Sequence, residues 1–175
     1  MAQLTAGTKA PAFKLAGNDG REHALEDTLG RKLVLYFYPR DSTPGCTTEA
    51  CEFRDNLARL TAAGALVFGV SKDSLASHDK FRDKYDLNFP LLSDPEAKLH
   101  AAYGAWGEKL FYGKKLIGVI RSTFLIDEHG VITRAWYGVK VKGHVEQVLA
   151  ALTGETPPSS PKKKSSSKKK AAAAN

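Results

Sequence analysis

Residues 32–51 read KLVLYFYPRDSTPGCTTEAC and contain the signals that decide the fold. The apolar run Lys32–Tyr38 is rich in strand-forming residues and stops at Pro39, which is typical of a central strand buried on both faces. Over Thr47–Ala63 apolar residues recur at every third or fourth position, which predicts a helix that Gly64 ends. A buried strand that leads directly into a helix indicates an α/β protein.

The rest of the chain also carries strand and helix signals. The predicted elements are a hairpin around Asn18–Gly20, a strand Leu66–Val70, a helix Leu75–Tyr85 capped by Ser74, a short strand or loop Phe89–Leu92, a helix Glu96–Tyr103, strands Ser122–Ile126 and Val131–Val139 around a turn at Glu128–Gly130, and a helix His144–Leu152. Early alternation followed by a late hairpin predicts a mixed sheet flanked by helices, an order that fits a thioredoxin-like fold.

Length and composition indicate one domain, which we place at residues 1–154. The chain has 175 residues, of which 42% are hydrophobic, enough for one ordinary core and too little for two. No run approaches the ~20 apolar residues that a membrane-crossing helix needs. The segment Met1–Pro11 lacks the apolar stretch of a secretory signal, so we expect a cytoplasmic protein with no membrane partner.

The positive charge of the chain is concentrated in its last residues. The sequence carries +7, but residues 155–175 hold six lysines and one acid, or +5, which leaves +2 for the rest. Runs of lysine, serine and alanine predict that this segment is a disordered tail. The lysines of Lys162–Lys170 either bind a polyanion such as nucleic acid, or only add solubility.

The two cysteines, Cys46 and Cys51, indicate redox chemistry rather than a metal site. The five histidines are scattered, and none has a ligand spacing to the cysteines. Cys46 falls in the first turn of the predicted helix, where unpaired backbone N–H groups and the helix dipole favour an anion such as a thiolate. The thiolate is the reactive form of cysteine, and it is the form that attacks a peroxide oxygen.

The spacing of the two cysteines restricts how they react with each other. Cys51 lies five residues after Cys46, about 140° around an intact helix and ~7.5 Å along its axis. Cysteines with Cα atoms more than ~7 Å apart cannot form a disulfide without backbone movement, so a bond requires the first turns to unwind. In the other interpretation Cys51 is an ordinary buried residue. Thr43 likewise either caps the helix or hydrogen-bonds the thiolate and peroxide, and Pro39 either stops the strand or shields the thiolate.

The segment Pro39–Cys46 resembles the signature of the peroxiredoxins, which is a proline, three residues, a threonine or serine, two residues and a cysteine. The form GCTTEAC at residues 45–51 is similar to that of the bacterioferritin comigratory protein, or PrxQ, subfamily. Further similar segments are KAPAF at 9–13, LYFYP at 35–39, VSKD at 70–73, FPLLSD at 89–94, YGAWGE at 103–108 and IRSTFLID at 120–127. The resemblance covers about residues 5–153.

The resemblance implies a thiol peroxidase that reduces hydrogen peroxide and organic hydroperoxides without a metal, haem or flavin. The implied roles are Cys46 as the peroxidatic cysteine, Cys51 as the resolving cysteine that forms an internal disulfide, Arg121 as the cation that stabilises the thiolate and binds peroxide, Glu49 as the residue that orients Arg121, Thr43 as a hydrogen-bond partner of the substrate, and Pro39 as a shield. It also implies recycling by thioredoxin or a similar dithiol protein, and a monomeric state.

Other interpretations stay open from the residues alone. A general dithiol oxidoreductase would normally carry Cys-x-x-Cys, whereas four residues separate Cys46 and Cys51. A nucleic-acid-binding protein that acts through the basic tail is a second alternative, and it is compatible with peroxidase activity. Arg121 is either the buried partner of an anion or a surface charge at a strand end. Glu49 is either its partner or a favourable acid in the first helical turn.

Overall fold

A mixed sheet with helices packed against it organises the structure, and the computed structural model describes residues 3–154. The strands are β1 (Lys14–Ala16), β2 (Glu22–Ala24), β3 (Lys32–Phe37), β4 (Ala65–Ser71), β5 (Leu91–Ser93), β6 (Trp106–Phe111), β7 (Lys114–Val119), β8 (Ser122–Ile126) and β9 (Ile132–Tyr137). The helices are α1 (Pro44–Asp55), α2 (Leu57–Ala62), α3 (Leu75–Tyr85), α4 (Lys98–Ala102) and α5 (His144–Thr153). The predicted tail at residues 155–175 lies outside the described residues.

The central sheet has five strands in the order β5-β4-β3-β8-β9. Strands β3, β4 and β5 are parallel, whereas β8 pairs antiparallel with β3, and β9 antiparallel with β8. The predicted mixed sheet is therefore confirmed. The predicted first hairpin is confirmed as the pair β1 and β2, which forms a separate two-stranded sheet.

Strand β3 is central because neighbours pair with both its edges and side chains cover both its faces. Residues 33–38 have no exposed surface. On one face Tyr36 stacks on Phe53 of α1, with ring centroids 4.5 Å apart. On the other face Phe37 packs edge-on against Phe124 of β8 at 5.8 Å. The continuous apolar run of the sequence thus fills two cores, as expected of a strand buried on both faces.

The prediction of one helix over Thr47–Ala63 is wrong in its extent, because the segment forms two helices. α1 begins at Pro44, since proline suits a first-turn position where no N–H is needed. It ends at Asn56, which leaves the helical conformation (φ −108°, ψ 8°) and donates its side-chain amide to the carbonyl of Glu52. The apolar spacing continues through this break and so does not reveal it.

The predicted helix Glu96–Tyr103 is shorter in the structure. Ala97 has left-handed backbone angles (φ 59°, ψ 25°), so α4 begins only after it. The predictions for α3 and β8 are confirmed at the same residues, and the remaining predicted elements lie close to their expected bounds. Within residues 3–154 there is no helix that has both the length and the apolar character needed to cross a membrane.

The hairpin of β6 and β7 has no counterpart in the sequence predictions. Its strands pair from Trp106 opposite Val119 to Phe111 opposite Lys114, and a two-residue turn joins them. Both turn residues have positive φ, 52° at Tyr112 and 77° at Gly113. That geometry is the type I′ turn that Asn-Gly most often forms, and a Tyr-Gly pair among lysines and glycines does not give this signal.

The predicted cap of α3 gives a test of the local helix chemistry. Ser74 Oγ accepts a hydrogen bond from the N–H of Ser77 at 3.2 Å. We expect Ser74→Ala to lower the free energy of unfolding by about 1 kcal/mol, because that N–H loses its acceptor. Urea denaturation measures the change, and Ser74→Asp is the matched control that retains an acceptor. An alanine variant as stable as the wild type would contradict a stabilising cap.

Candidate active site

The loop after β3 and the first turn of α1 hold the more buried of the two cysteines. The loop runs over residues 38–43, and Cys46 is the third residue of α1. Only 1% of the surface of Cys46 is exposed. Its thiol therefore lies at the positive end of the helix dipole, where the unpaired N–H groups of the first turn favour a thiolate.

Arg121 contacts the sulfur of Cys46 from the connection between β7 and β8. Its Nη2 donates to Sγ over 3.4 Å, and its Nη1 donates to Glu49 Oε1 over 2.6 Å. The Glu49 side chain is fully buried, whereas that of Arg121 is 17% exposed. The structure thus brings three of the predicted site residues into one chain of contacts, from sulfur to guanidinium to carboxylate.

The ionisation of this trio follows from burial and from its charges. Burial raises the pKa of Glu49 to about 7, even though the Arg121 guanidinium acts to lower it. Burial acts to lower the pKa of Arg121, but the charges of Glu49 and Cys46 outweigh it and raise that pKa above its ordinary value. Arg121 is therefore charged throughout the physiological range, and a charged donor beside a buried sulfur favours its thiolate form.

Thr43 is the residue before α1, but its side chain does not cap the helix. Instead, its hydroxyl donates to the carbonyl of Arg40 over 2.9 Å. The interpretation of Thr43 as a side-chain cap is therefore wrong. Because the hydroxyl proton is directed at Arg40, the lone pairs of the oxygen are left to accept a hydrogen bond from another molecule. Pro39 is half-buried at the start of the same loop, and its shielding of the sulfur stays a prediction.

Cys51 is half-buried in α1, and both cysteines are free thiols. The helix is continuous from Cys46 to Cys51, so the two side chains leave it about 140° apart and ~7.5 Å apart along its axis. A disulfide between them cannot form on this helix without backbone movement. The pairing and the unwinding that it requires remain predictions.

Asp41 anchors the loop that leads to Cys46, and sequence reasoning did not find it. Its carboxylate accepts hydrogen bonds from Tyr38, Ser77 and His78, at 2.6, 2.8 and 2.7 Å. Its backbone N–H donates to Asp73 over 2.9 Å. The loop is therefore attached to the start of α3 and to the residues that follow β4. Asp41 and His78 are 37 residues apart, so no local spacing connects them.

His78 completes this anchor from inside the protein. The side chain is fully buried, and its two ring nitrogens face Asp41 Oδ2 at 2.7 Å and the carbonyl of Leu92 at 2.9 Å. Both of these groups are acceptors, so two hydrogen bonds require a ring that carries a proton on each nitrogen. A charged ring against the Asp41 carboxylate makes the anchor an ion pair as well as a hydrogen-bond network.

Gly45 is a second residue that sequence reasoning did not assign to the site. A Cβ at this position would lie 3.2 Å from Arg121 Nη2, so the absence of a side chain leaves room for the guanidinium. Two buried atoms near the sulfur, Thr47 Oγ1 and Glu49 Oε2, have no hydrogen-bond partner within residues 3–154. Buried polar atoms are usually paired, so these two are available to a bound substrate or to a proton.

Metal-ligating side chains do not gather in the part of the chain that the structure describes. No group of three or more His, Cys, Asp or Glu side chains there could hold a metal ion. The buried histidines have other partners: His78 and His100 face acids, and His144 faces the Thr123 hydroxyl at 2.8 Å. Burial lowers the pKa of His144 to about 4, so this ring is neutral at physiological pH.

The raised pKa of Glu49 predicts a pH dependence of stability. Its pKa is about 7 in the folded chain against an ordinary value of 4.5, so the folded state binds the proton more tightly than the unfolded state. The stabilisation from this group is complete below about pH 4.5 and is lost as the pH rises to about 7.

Glu49→Gln lacks this titration. As the pH rises from 4.5 to 7, we expect the wild type to lose stability relative to the Glu49→Gln variant, with a constant difference above and below that window. Urea denaturation of both proteins at several pH values measures the difference, and Glu22→Gln, at an exposed residue of β2, is the control. A wild type that gains stability relative to the variant over this window would contradict the assignment.

Comparison with known proteins places this geometry in a family. Residues 6–135 match the AhpC/TSA family. Peroxiredoxin Bcp of Bacillus subtilis is 48% identical over 146 residues, which are 83% of this chain and 93% of that protein. Peroxiredoxin Bcp of Xanthomonas campestris is 46% identical over 150 residues, which are 86% of this chain and 92% of that protein.

Solved structures agree with the sequence comparison. Xanthomonas campestris peroxiredoxin Q superimposes with a TM-score of 0.80 at 44% identity, over 85% of this chain and 97% of that chain. A structure of Xanthomonas campestris bacterioferritin comigratory protein, described for its alkyl peroxide reduction activity, has a TM-score of 0.79 at 44% identity, over 85% and 98% of the two chains. The predicted thioredoxin-like fold is confirmed by these likenesses. The chain therefore belongs to the AhpC/TSA family, among the thiol peroxidases of the Bcp or PrxQ type.

Proposed function

We propose that the chain reduces hydrogen peroxide and organic hydroperoxides through the thiolate of Cys46, and that Cys51 then closes an internal disulfide. The observation that carries the proposal is the 3.4 Å contact between the Arg121 guanidinium and the buried Cys46 sulfur. A fixed cation at this distance favours the thiolate and offers N–H donors to a further anion. The Xanthomonas campestris relative described for alkyl peroxide reduction supports the choice of organic hydroperoxides.

In the first step the Cys46 sulfur attacks one oxygen of the hydroperoxide. A sulfur–oxygen bond forms and the oxygen–oxygen bond breaks, so that the sulfur loses two electrons and becomes a sulfenic acid. The other oxygen leaves with the electron pair and takes up a proton, which yields an alcohol or water. Arg121 would stabilise the negative charge that develops on the oxygens, and Thr43 Oγ1 would accept the O–H of the hydroperoxide.

In the second step the Cys51 sulfur attacks the sulfur of the sulfenic acid. A disulfide forms, and the hydroxyl group leaves as water with the proton of the Cys51 thiol. The hydrogen bond from the Thr47 N–H to the Thr43 carbonyl, 2.8 Å long, is among the first that must break. Because Asp41 fixes the preceding loop, we expect unwinding in α1 rather than in that loop.

The cycle closes when a dithiol protein of the thioredoxin class reduces the disulfide with two electrons and two protons. The proposal places this cycle in a monomer in the cytoplasm. Nucleic-acid binding through Lys162–Lys170 concerns residues outside the described part of the chain, and it stays a prediction.

The proposal makes Arg121 the residue whose loss slows oxidation most directly without removal of a sulfur. We expect Arg121→Ala to lower the second-order rate constant for Cys46 oxidation by hydrogen peroxide by roughly 100-fold or more, the scale for loss of a donor to developing charge. Stopped-flow fluorescence or competition for peroxide measures the rate, and absorbance at 240 nm at neutral pH reports the fraction of thiolate.

A matched arginine is available as the control. Arg134 is exposed on β9, where its guanidinium lies 4.8 Å from the centre of the Trp136 ring. Arg134→Ala should keep the wild-type rate. Equal rates for Arg121→Ala and the wild type would remove Arg121 from the reaction, and a wild type whose Cys46 reacts no faster than a free thiol would contradict the proposed function itself.

A further inference from the structure

The hairpin of β6 and β7 carries an apolar surface that the proposed reaction does not use. Four of the six exposed large apolar side chains of the described residues lie on it: Leu110, Tyr112, Leu116 and Ile117. Leu110, Tyr112 and Ile117 are 73%, 91% and 71% exposed. Exposed apolar side chains that cluster, rather than lie singly, mark a surface on which another molecule packs.

The register of the hairpin places two of these side chains together. Leu110 is opposite Lys115, and Glu108 is opposite Ile117, so all four belong to one face of the ribbon. Leu110 and Ile117 are diagonal neighbours on that face, within the ~7–8 Å at which large side chains form a continuous patch. Leu116 belongs to the opposite face, where it is paired with Lys109. The Leu110 and Ile117 face is therefore apolar in its middle and charged at its border.

The base of the hairpin adjoins the Cys46 site. The N–H of Ile120 donates to the carbonyl of Ala105 over 2.8 Å and closes the ribbon, and the next residue is Arg121. A Cβ at Gly107 would lie 3.5 Å from the side chain of Ile120, so the two chains are packed closely there. With a rise of about 3.4 Å per residue, strands of this length extend about 20 Å from the site.

The surroundings of the site are cationic. Residues 106–121 contain four basic side chains and one acidic side chain, and residues 138–143 contain two lysines and no acid. The second segment is joined to the site by a hydrogen bond from the Val139 N–H to the Arg121 carbonyl, 3.0 Å long. Lys72 also lies here, with its Nζ 4.7 Å from the centre of the Trp106 ring at the base of the hairpin. A partner that binds at this edge must carry negative charge around an apolar contact.

We propose that the Leu110 and Ile117 face of the hairpin is the docking surface for the dithiol protein that reduces the Cys46–Cys51 disulfide, and that this partner carries acidic side chains around its apolar contact area. The inference rests on the proposed function, which requires such a protein to reach the sulfur atoms at this edge. An apolar centre with a charged border is the usual anatomy of a transient protein interface, and complementary charge speeds encounter.

The redox step that follows docking balances within this pair of proteins. A thiolate of the partner attacks one sulfur of the disulfide, and the other cysteine leaves as a thiolate that takes up a proton. The second thiol of the partner then attacks the mixed disulfide, which returns Cys46 and Cys51 to thiols and leaves the partner oxidised. The hairpin takes no part in the bond changes, so its variants should affect the approach of a protein reductant and nothing else.

The test compares a protein reductant with a small one on the full chain. Leu110→Thr/Ile117→Thr removes the apolar patch and keeps residues that favour strands, and Leu29→Thr is the matched control at an exposed leucine before β3. Turnover of hydrogen peroxide is measured with thioredoxin, thioredoxin reductase and NADPH, and separately with dithiothreitol. We expect the KM for thioredoxin to rise roughly tenfold in the double variant, the scale for loss of an interface anchor. Its turnover with dithiothreitol and its rate of Cys46 oxidation should be unchanged.

Two further arms distinguish the alternatives. Lys114→Gln/Lys115→Gln should slow thioredoxin-dependent turnover most at low salt, where charge steering is strongest. An unchanged KM for thioredoxin in the apolar variant, or an equal loss with both reductants, would overturn the proposal. Sedimentation of the wild type with phosphatidylglycerol vesicles, lost in the apolar variant while its KM for thioredoxin is unchanged, would assign the face to lipid instead. A wild type that consumes no peroxide with dithiothreitol would contradict the proposed function rather than the docking surface.

Discussion

The contact between Arg121 and the sulfur of Cys46 joins two segments that are 75 residues apart, and the rest of the site depends on it. Strand pairing produces it. The register of β3 with β8 sets Phe37 opposite Ser122, so Arg121 lies just beyond the end of the strand from which the loop leads to Cys46. Burial of the sulfur would disfavour a thiolate without this cation and the first-turn N–H groups. Glu49 then holds the guanidinium from its other side.

The proposed reaction places two demands on α1 that one conformation cannot meet. Attack on a peroxide uses the folded first turn, which holds the Cys46 sulfur against Arg121, whereas a disulfide with Cys51 uses an unwound one. The anchor at Asp41 reconciles these demands, because the ion pair with His78 fixes the loop before the helix while the first turn changes. A loop attached to the sheet edge keeps Thr43 near the site in both states.

Much of the framework could be predicted from sequence because its signals are local. The apolar run of β3 and the spacing of α3 are written in consecutive residues, and so is the position of Cys46 in the first turn of a helix. The break at Asn56 was not predicted, because apolar periodicity runs through it. The hairpin at Tyr112–Gly113 was not predicted either, because its turn uses an unusual residue pair. The Arg121 contact and the Asp41 anchor depend on strand register and long-range packing, and only the family resemblance pointed to Arg121.

The central claim is that Cys46 is oxidised by peroxide and then bonds to Cys51 in the same chain. The most direct test is the intact mass of the protein after one equivalent of hydrogen peroxide, followed by peptide mapping. The account predicts a loss of two hydrogens that maps to a Cys46–Cys51 bond within one chain. A stable sulfenic acid on Cys46, or a disulfide between chains, would contradict the internal resolution step, and an unoxidised Cys46 would contradict the account as a whole.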